Sequence, residues 1–351
     1  MILFHISHTD LDGYGCQLLT KEIFSQSYYL NANYGLEVKQ SIIHFIEHIK
    51  NEEIKDEILF LITDVNLTNA ESKYLNNEVI KLNEDGYKIK LQLLDHHATG
   101  QSCADKYDWY FLDISRCATK ITYDYFVKNY NAFEDESQTW IEPLVNAINA
   151  IDIWIEDNKK DFEFGKVLLS MVSHVREINN VLFANKNRDF RIHLLKKASM
   201  YLNEVDGNIK LDSAIHSLKK EFLNLDGQDD TIDNLSAKYL VNSITSIKDE
   251  LTINFQDKKG VLTYTLGGIS IPANAFLKAN KDYDFFIDVS KRGNASFRAD
   301  GNLDVGLLAQ KLANGGGHPN ASGCKFDDFK EVINYSDVKK YIQNKLDNIK
   351  I

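Results

Sequence analysis

The chain has 351 residues, of which 44% are hydrophobic and 26% charged, and its formal net charge at pH 7 is -11. This composition is ordinary for a globular protein and excludes a disordered or fibrous chain. The negative charge creates no global basic field of the kind that draws proteins onto long nucleic acids, so a polyanionic substrate would have to be bound locally.

The first half of the chain alternates short apolar runs with longer amphipathic stretches. The strand-like runs are ILFHIS (2–7), EILFLITDV (57–65) and IKLQLLDHH (89–97). Such alternation predicts βαβ units on a parallel sheet. The stretches RCATKITYDYFVKNY (116–130) and WIEPLVNAINAIDIWIE (140–156) are predicted helices. We assign residues 1–165 to an N-terminal α/β domain.

The second half predicts a helical connector followed by a smaller domain. Residues 166–225 have a helical pattern without an obvious strand, and the acidic stretch 223–235 is a predicted loop at the domain boundary. Beyond it, residues 251–266 and 282–300 each predict two strands joined by a turn. We therefore expect a connector over 166–235 and an α+β domain over 236–351.

Four cysteines, Cys16, Cys103, Cys117 and Cys324, lie far apart. Without a C-x-x-C pair they suggest neither a zinc ribbon nor a dithiol redox site, and we expect free, mostly buried thiols. The first residues lack a basic n-region, and no apolar run approaches the roughly 18 residues of a membrane span. The sequence thus predicts a cytoplasmic protein with no signal peptide and no membrane contact.

Acidic residues and histidines follow three of the predicted strands. Asp10 and Asp12 follow the first strand, Asp64 the second, and the third ends in Asp95-His96-His97. The carboxyl ends of parallel strands open onto one crevice, and clustered carboxylates repel each other unless cations neutralise them. A mixed set of Asp and His suits manganese, or less specifically magnesium, zinc or iron, and two ions sharing one bridging Asp are the natural arrangement. For any single Asp the alternative is a helix cap or a turn.

These residues carry a resemblance to a known family. SHTDLDG, ITDVNL, LLDHHATG and NAIDIW resemble the four ordered motifs of the DHH phosphoesterase superfamily, and residues 295–326, which include NGGGHPNASG, resemble the C-terminal substrate-binding domain that accompanies many members. The likeness spans nearly the whole chain apart from its helical middle. The compact first motif is similar to that of the nano-RNase or oligoribonuclease branch.

The resemblance implies a role for each site residue. His8, Asp10 and Asp64 would hold one Mn²⁺, and Asp12, Asp64, His96 and Asp152 the other. Asp95 would orient His96, and His97 would face the substrate phosphate. In the C-terminal domain the substrate would be bound by Arg298, Gly315, Gly316, Gly317 and His318.

Structural alternatives stand beside three of these assignments. Asp152 also fits a polar position on an amphipathic helix, Arg298 an exposed strand position, and the glycine run a helix stop followed by a flexible turn. Consecutive glycines would instead let backbone N–H groups converge on an anion, with Asn314 tolerating a left-handed conformation. The basic stretch 185–197 reads as the solvated face of a helix, and we assign it no site residues.

The resemblance implies a manganese-dependent phosphodiesterase that uses two-metal activation of water to hydrolyse short oligoribonucleotides to nucleoside monophosphates. The alternatives are a phosphatase of 3′-phosphoadenosine 5′-phosphate, a phosphodiesterase of linear or cyclic dinucleotides, and a non-catalytic nucleotide-binding regulator. The expected partners are short RNA or small nucleotides. The oligomeric state is open, with a homodimer among the options.

Overall fold

The computed structural model of the chain describes residues 1–332 and 334–349, which form two compact units. Unit 1 comprises Met1–Val175 and Arg188–Leu218, and unit 2 comprises Arg176–Asn187 and the chain from Lys219 onward. The helical residues 166–235 are therefore shared between the two units. The division into domains at 165 and 235 stays a prediction.

Unit 1 is built on a parallel sheet, as the sequence predicts. Within the described residues its strands run in the order β2-β1-β3-β4-β5, and every neighbouring pair is parallel. The strands are β1 (Ile2–Ser7), β2 (Ser27–Asn31), β3 (Glu57–Thr63), β4 (Lys88–Asp95) and β5 (Tyr110–Leu112). The apolar runs correspond to β1, β3 and β4. β1 and β3 are buried on both faces, whereas β4 carries Lys88, Lys90 and Gln92 on a face that is exposed or half-buried. The edge strands β2 and β5 are short and carry no such run.

Helices cover both faces of this sheet. The helices of the unit are α1 (Leu11–Ile23), α2 (Leu36–Asn51), α3 (Asn69–Glu84), α4 (Gln101–Ala104), α5 (Ala118–Tyr130), α6 (Ile141–Asp152) and α7 (Lys159–Ser173). Helices α2 and α3 pack against Phe4 and Phe60 in one core layer. Helix α5 packs against Leu3 and Leu59 on the opposite face. Two further helices, α8 (Ala184–Ala198) and α9 (Gly207–Leu223), each continue from one unit into the other.

Unit 2 contains a mixed sheet with the order β10-β11-β9-β8-β7-β6 among the described residues. Only β7 and β8 pair in parallel there. The elements are α10 (Ile232–Ser246), α11 (Lys248–Leu251), β6 (Thr252–Phe255), β7 (Lys258–Tyr264), α12 (Ser270–Ala279), β8 (Phe285–Val289), β9 (Asn294–Ala299), α13 (Val305–Ala313), β10 (Gly316–His318), β11 (Ala321–Lys325) and α14 (Tyr335–Asp347). The two predicted strand pairs are confirmed as β6–β7 and β8–β9.

The predicted loop over 223–235 is too long at its C-terminal end. Helix α10 already begins at Ile232, because the Thr231 hydroxyl accepts a hydrogen bond from the Asn234 N–H and caps the helix. Among all the residues that the structure describes, no helix is both long and apolar enough to cross a lipid bilayer.

The order of the unit 1 strands locates a crevice. The chain passes from β1 outward to β2 and then returns to β3 on the other side of β1, so the connections leave on opposite faces. In open α/β sheets, ligands bind outside the carboxyl ends of the strands at such a switch point. His8 directly follows β1 and Asp64 directly follows β3, so both flank this crevice.

A chain of buried hydroxyl and imidazole groups lies under the crevice. The Thr63 Oγ1 lies 2.8 Å from Nε2 of the fully buried His5 and 2.7 Å from the Ser7 Oγ, while His5 Nδ1 lies 3.0 Å from the Thr20 Oγ1. Burial, aided by the charge of Arg188, lowers the pKa of His5 to about 3. Through these hydrogen bonds the neutral imidazole of His5 connects β1 to β3 and to α1. Thr63 directly precedes Asp64, which lies in the crevice.

We expect the variant Thr63→Val to lose about 1–3 kcal/mol of unfolding free energy, because it removes a hydroxyl partner from a fully buried imidazole while keeping the shape of the side chain. Urea unfolding measures this loss. Thr139→Val, at an exposed position, is the matched control. Equal stabilities of the two variants would contradict a structural role for these buried hydrogen bonds.

Candidate metal centre

Ligand-type side chains from separate elements of unit 1 converge at the crevice. In three groups the potential ligand atoms lie within 4.8 Å of one another: His8, Asp10 and Asp64; Asp64, His96 and His97; and Asp12, Cys117 and Asp152. His96 links them, since its Nε2 lies 3.4 Å from Asp64 Oδ1 and 3.7 Å from both Asp12 Oδ2 and Asp152 Oδ2. The six side chains that the family resemblance implies as ligands therefore lie at one crevice.

The first acid of the SHTDLDG stretch begins helix α1. Asp10 is the N-cap, and its Oδ1 accepts from the Gly13 N–H at 3.0 Å while its Oδ2 lies 2.7 Å from His8 Nδ1. Burial raises the pKa of Asp10, but these contacts outweigh it and the net pKa falls to about 2. No larger residue fits at Gly13, because a Cβ there would lie 2.4 Å from the His8 carbonyl oxygen.

The second acid of that stretch caps a different helix. The buried Asp12 accepts from the backbone N–H groups of Ala118 and Thr119, each at 2.7 Å, with its two carboxylate oxygens. These residues open α5, whose N-terminal dipole stabilises a negative charge. Each carboxylate oxygen keeps a further lone pair for a cation. Asp10 and Asp12 are only two residues apart, and they thus hold the N-termini of α1 and α5 at the same crevice.

Asp64 occupies the centre of the site. It adopts a left-handed conformation, with φ of 59°, and is 1% exposed. Its Oδ2 has no hydrogen-bond partner among the described residues, and His8 Nδ1 lies 3.8 Å from it. Burial raises the pKa of Asp64 well above its usual range, and the charges of Asp12 and Asp10 raise it further. One oxygen faces the His8 group and the other faces His96.

Asp152 is the last residue of α6, and its side chain is 24% exposed. Burial of the carboxyl, together with the charges of Asp12 and Asp10, raises its pKa to about 8. A polar residue on the solvent side of an amphipathic helix would show no such interaction. The carboxylate lies in the crevice instead.

The residues present fit divalent cations. In the part of the chain that the structure describes, no Lys or Arg forms an ion pair with any of the four carboxylates. The buried Asp64 Oδ2 lacks a partner, and neighbouring acids raise the pKa values of Asp64 and Asp152. A set of Asp and His ligands around these carboxylates is the donor chemistry of divalent metal sites.

The prediction that Asp95 orients His96 is wrong. Asp95 Oδ1 lies 2.8 Å from Nδ1 of His97, and its Oδ2 accepts from the Tyr110 hydroxyl at 3.1 Å. The chain is still extended as it leaves β4, so residues two apart face the same side and adjacent residues do not. The hydrogen bond to Asp95 raises the pKa of His97, whereas burial lowers that of His96.

The glycine run of unit 2 is a strand and not a flexible turn. Asn314 ends α13 in the left-handed conformation, with φ of 50°, but β10 follows and Gly316 and Gly317 pair with Gly323 and Ser322 of β11. Small residues on both strands allow this close pairing, since a Cβ at Gly317 would lie 2.6 Å from the Ala321 carbonyl oxygen. A cavity of about 300 Å³ lies between α13 and the glycines 315–317.

Arg298 and His318 lie in one row of the unit 2 sheet. Ala321 of β11 is opposite both Arg298 on β9 and His318 on β10, so the two side chains share a face. Arg298 donates to the Ser270 hydroxyl and to the Phe297 carbonyl oxygen, each at 2.8 Å. The binding roles of Arg298, His318 and Gly315 to Gly317 stay predictions.

Sequence reasoning missed several residues of the crevice. Tyr34 contacts His97, Tyr110 contacts Asp95, and Cys117 lies beside Asp12 and Asp152. The start of α5 at Cys117-Ala118-Thr119 was visible in the helical pattern, but its contact with Asp12 was not. Gly100 offered no signal either, although a Cβ there would lie 2.2 Å from the Tyr110 hydroxyl oxygen.

The parallel sheet with its cluster of Asp and His side chains at the switch point is typical of a metal-binding α/β enzyme. The chain is 41% identical over 348 residues, 99% of each chain, to the 3′,5′-cyclic-nucleotide phosphodiesterase of Helicobacter pylori (strain ATCC 700392 / 26695). It is 24% identical over 336 residues to the oligoribonuclease NrnB of Bacillus subtilis (strain 168), covering 93% of this chain and 73% of that one.

A solved structure supports the same relationship. An uncharacterized protein from Helicobacter pylori G27 aligns over 99% of both chains with a TM-score of 0.92 and 42% identity. No family model matches the chain. On the relatives and the fold, the chain belongs to the DHH superfamily of phosphoesterases, and it is a metal-dependent phosphoesterase.

We expect Asp64→Asn to raise the thermal midpoint of the metal-free protein at pH 7 and to remove the stabilisation by Mn²⁺. The amide relieves carboxylate repulsion and tolerates the left-handed backbone, but it is a poor cation ligand. A rise of about 2–4 °C corresponds to roughly 1 kcal/mol in a unit of this size.

Differential scanning fluorimetry with and without Mn²⁺ measures both effects. Asp56→Asn, at an exposed position before β3, is the control and should behave like the wild type. A variant at Asp64 that keeps the full Mn²⁺ shift would rule out Asp64 as a shared ligand.

Proposed function

We propose that the protein is a manganese-dependent phosphodiesterase of small nucleotides, with 3′,5′-cyclic nucleotides as its first substrate class. The position of Asp64 between two groups of ligands carries the proposal, because two neighbouring cations suit the cleavage of phosphoesters. The substrate class comes from the relative of 41% identity, which this chain matches from end to end.

The residues that would hold the cations are those that the family resemblance implies, and their closeness in the crevice supports the assignment. His8, Asp10 and Asp64 would hold one ion, and Asp12, Asp64, His96 and Asp152 the other. Bound there, divalent cations supply polarisation of phosphoryl oxygens and a lowered pKa for an attacking water. The mixture of carboxylates and imidazoles favours Mn²⁺.

The remaining polar residues would act on the substrate. Asp95 holds the ring of His97 through Nδ1, and Nε2 lies 2.9 Å from the Tyr34 hydroxyl oxygen. His97 would act on a phosphoryl oxygen, or on the departing oxygen as the P–O bond breaks, through the hydroxyl that is hydrogen-bonded to its Nε2. Arg298 and His318 would bind a further phosphate or nucleotide group, since guanidinium and imidazole are suitable donors.

Short oligoribonucleotides are the second candidate substrate. The relationship to NrnB over 93% of this chain favours them. The net charge of -11 disfavours long nucleic acids in either case, because tracking a long backbone requires a basic surface. A cyclic nucleotide and the end of a short RNA present the same phosphodiester group to the crevice.

Product analysis tests the proposal. Purified protein would be incubated with Mn²⁺, Mg²⁺ or no added metal, and with 3′,5′-cyclic AMP, an RNA pentamer or 3′-phosphoadenosine 5′-phosphate, with Asp64→Asn as the inactive variant. We expect metal-dependent opening of the cyclic diester to a nucleoside monophosphate. Stepwise monophosphate release from the pentamer alone would favour the second candidate, and no reaction with any substrate would contradict the proposal.

We expect His96→Gln and His97→Gln to separate metal binding from catalysis. His97 already has protein partners at both ring nitrogens, whereas His96 Nε2 faces three carboxylates. His96→Gln should therefore lose the Mn²⁺ stabilisation, while His97→Gln should keep it and lose about 100-fold or more in kcat.

Thermal shift and steady-state kinetics measure the two effects, with His44→Gln on the exposed side of α2 as the control. Loss of the Mn²⁺ shift in His97→Gln would reassign that residue to the metal ligands.

A further inference from the structure

Tyr34 reaches the crevice from a segment that sequence patterns do not mark. It lies between β2 and α2, and its hydroxyl oxygen is 2.9 Å from Nε2 of His97. Its ring lies 5.2 Å from the ring of His8 and 5.7 Å from that of His97, measured between centroids. Tyr34 therefore lies next to His8, a candidate metal ligand, and next to His97, the residue proposed to act on the substrate.

The residue before Tyr34 is held to the loop between β1 and α1, residues 8–10. The Thr9 hydroxyl, between His8 and Asp10, donates to Asn33 Oδ1 at 2.9 Å. The backbone N–H and the Nδ2 of Asn33 both donate to Glu37 Oε2, at 2.9 and 2.8 Å. Gly35 then turns the chain with φ of 79°. These contacts fix where Tyr34 enters the crevice.

Packing does not account for this placement. Tyr34 is 44% exposed, so it is not a core residue, and its hydroxyl is not needed to satisfy a fully buried polar group. The hydroxyl faces the group on which substrate chemistry is expected.

We propose that Tyr34 is a substrate-contacting residue whose hydroxyl donates a hydrogen bond to a phosphoryl oxygen of the bound nucleotide, next to His97. A phenol can accept from an imidazole N–H and donate to an anionic oxygen at the same time. Tyr34 thus extends the line Asp95–His97 to the substrate, and no covalent bond to Tyr34 forms or breaks. The proposal rests on the proposed function, since it requires a phosphoryl substrate.

The test compares Tyr34→Phe, which keeps the ring, with Tyr34→Ala, which removes it. Tyr74→Phe, at an exposed tyrosine of α3, is the matched control. One hydrogen bond to a charged oxygen corresponds to about a 10- to 100-fold effect. We expect Tyr34→Phe to lose that much in kcat/KM with the best substrate and to weaken binding of inorganic phosphate to the Mn²⁺-loaded protein by about 10-fold or more.

A purely structural role would give a different pattern. The thermal midpoint of Tyr34→Phe, with and without Mn²⁺, should equal that of the wild type. The proposal is overturned if Tyr34→Phe cleaves substrate and binds phosphate like Tyr74→Phe. It is also overturned if only Tyr34→Ala is impaired, since the ring and not the hydroxyl would then make the contact.

The outcomes separate this inference from the proposed function. A wild-type protein that hydrolyses none of the substrates contradicts the proposed function. Calorimetric titration of the Mn²⁺-loaded protein with inorganic phosphate then decides the role of Tyr34 by itself, since it needs no turnover. Equal phosphate affinity in the wild type and Tyr34→Phe would overturn the inference whatever the activity.

Discussion

Repulsion between carboxylates at one sheet edge is the constraint on which unit 1 depends. Asp10, Asp12, Asp64 and Asp152 converge without a Lys or Arg partner among the described residues, and Asp64 is buried among them. Such a cluster opposes folding unless the scaffold holds it in place and cations neutralise it. Two devices hold it: Asp10 caps α1, and Asp12 receives two N–H groups from the start of α5. The buried line Ser7–Thr63–His5 fixes the two strands from which His8 and Asp64 emerge.

The ligands come from two kinds of element, and this explains how they approach so closely. His8, Asp64 and His96 follow three adjacent strands, whose spacing of about 4.8 Å sets their separation. Asp12 and Asp152 belong to α1 and α6, which pack against each other and against α5. The helices therefore bring two more carboxylates over the strand ends, to within 3.7 Å of His96. A sheet edge alone would leave these ligands too far apart to surround one position.

Much of this arrangement could be predicted from the sequence because the signals are local. β1 and β3 are nearly continuous apolar runs, and β4 alternates polar with apolar residues before it ends in Leu93-Leu94-Asp95. Each strand is followed directly by an acid or a histidine, and parallel strands share their carboxyl edge. β2 carries polar and half-buried residues at the sheet edge, so it gave no pattern, and the position of Tyr34 depends on where that strand ends. The pairing of the glycine run with β11 depends on the fold of unit 2 in the same way. Contacts between distant segments leave little trace in a single sequence.

The triplet Asp95-His96-His97 shows how one strand end serves two purposes. Asp95 and His97 face the same side of the extended chain and bond to each other, while His96, between them, faces the carboxylates. The alternation of an extended backbone therefore directs one imidazole toward the carboxylate cluster and the next one away from it, with no intervening residue. The Tyr110 hydroxyl donates a hydrogen bond to Asp95, and it occupies space that any side chain at position 100 would fill. Because the two histidines are adjacent, any shift of β4 would move both, which couples the position of the imidazole at the carboxylate cluster to that of the imidazole bonded to Asp95 and Tyr34.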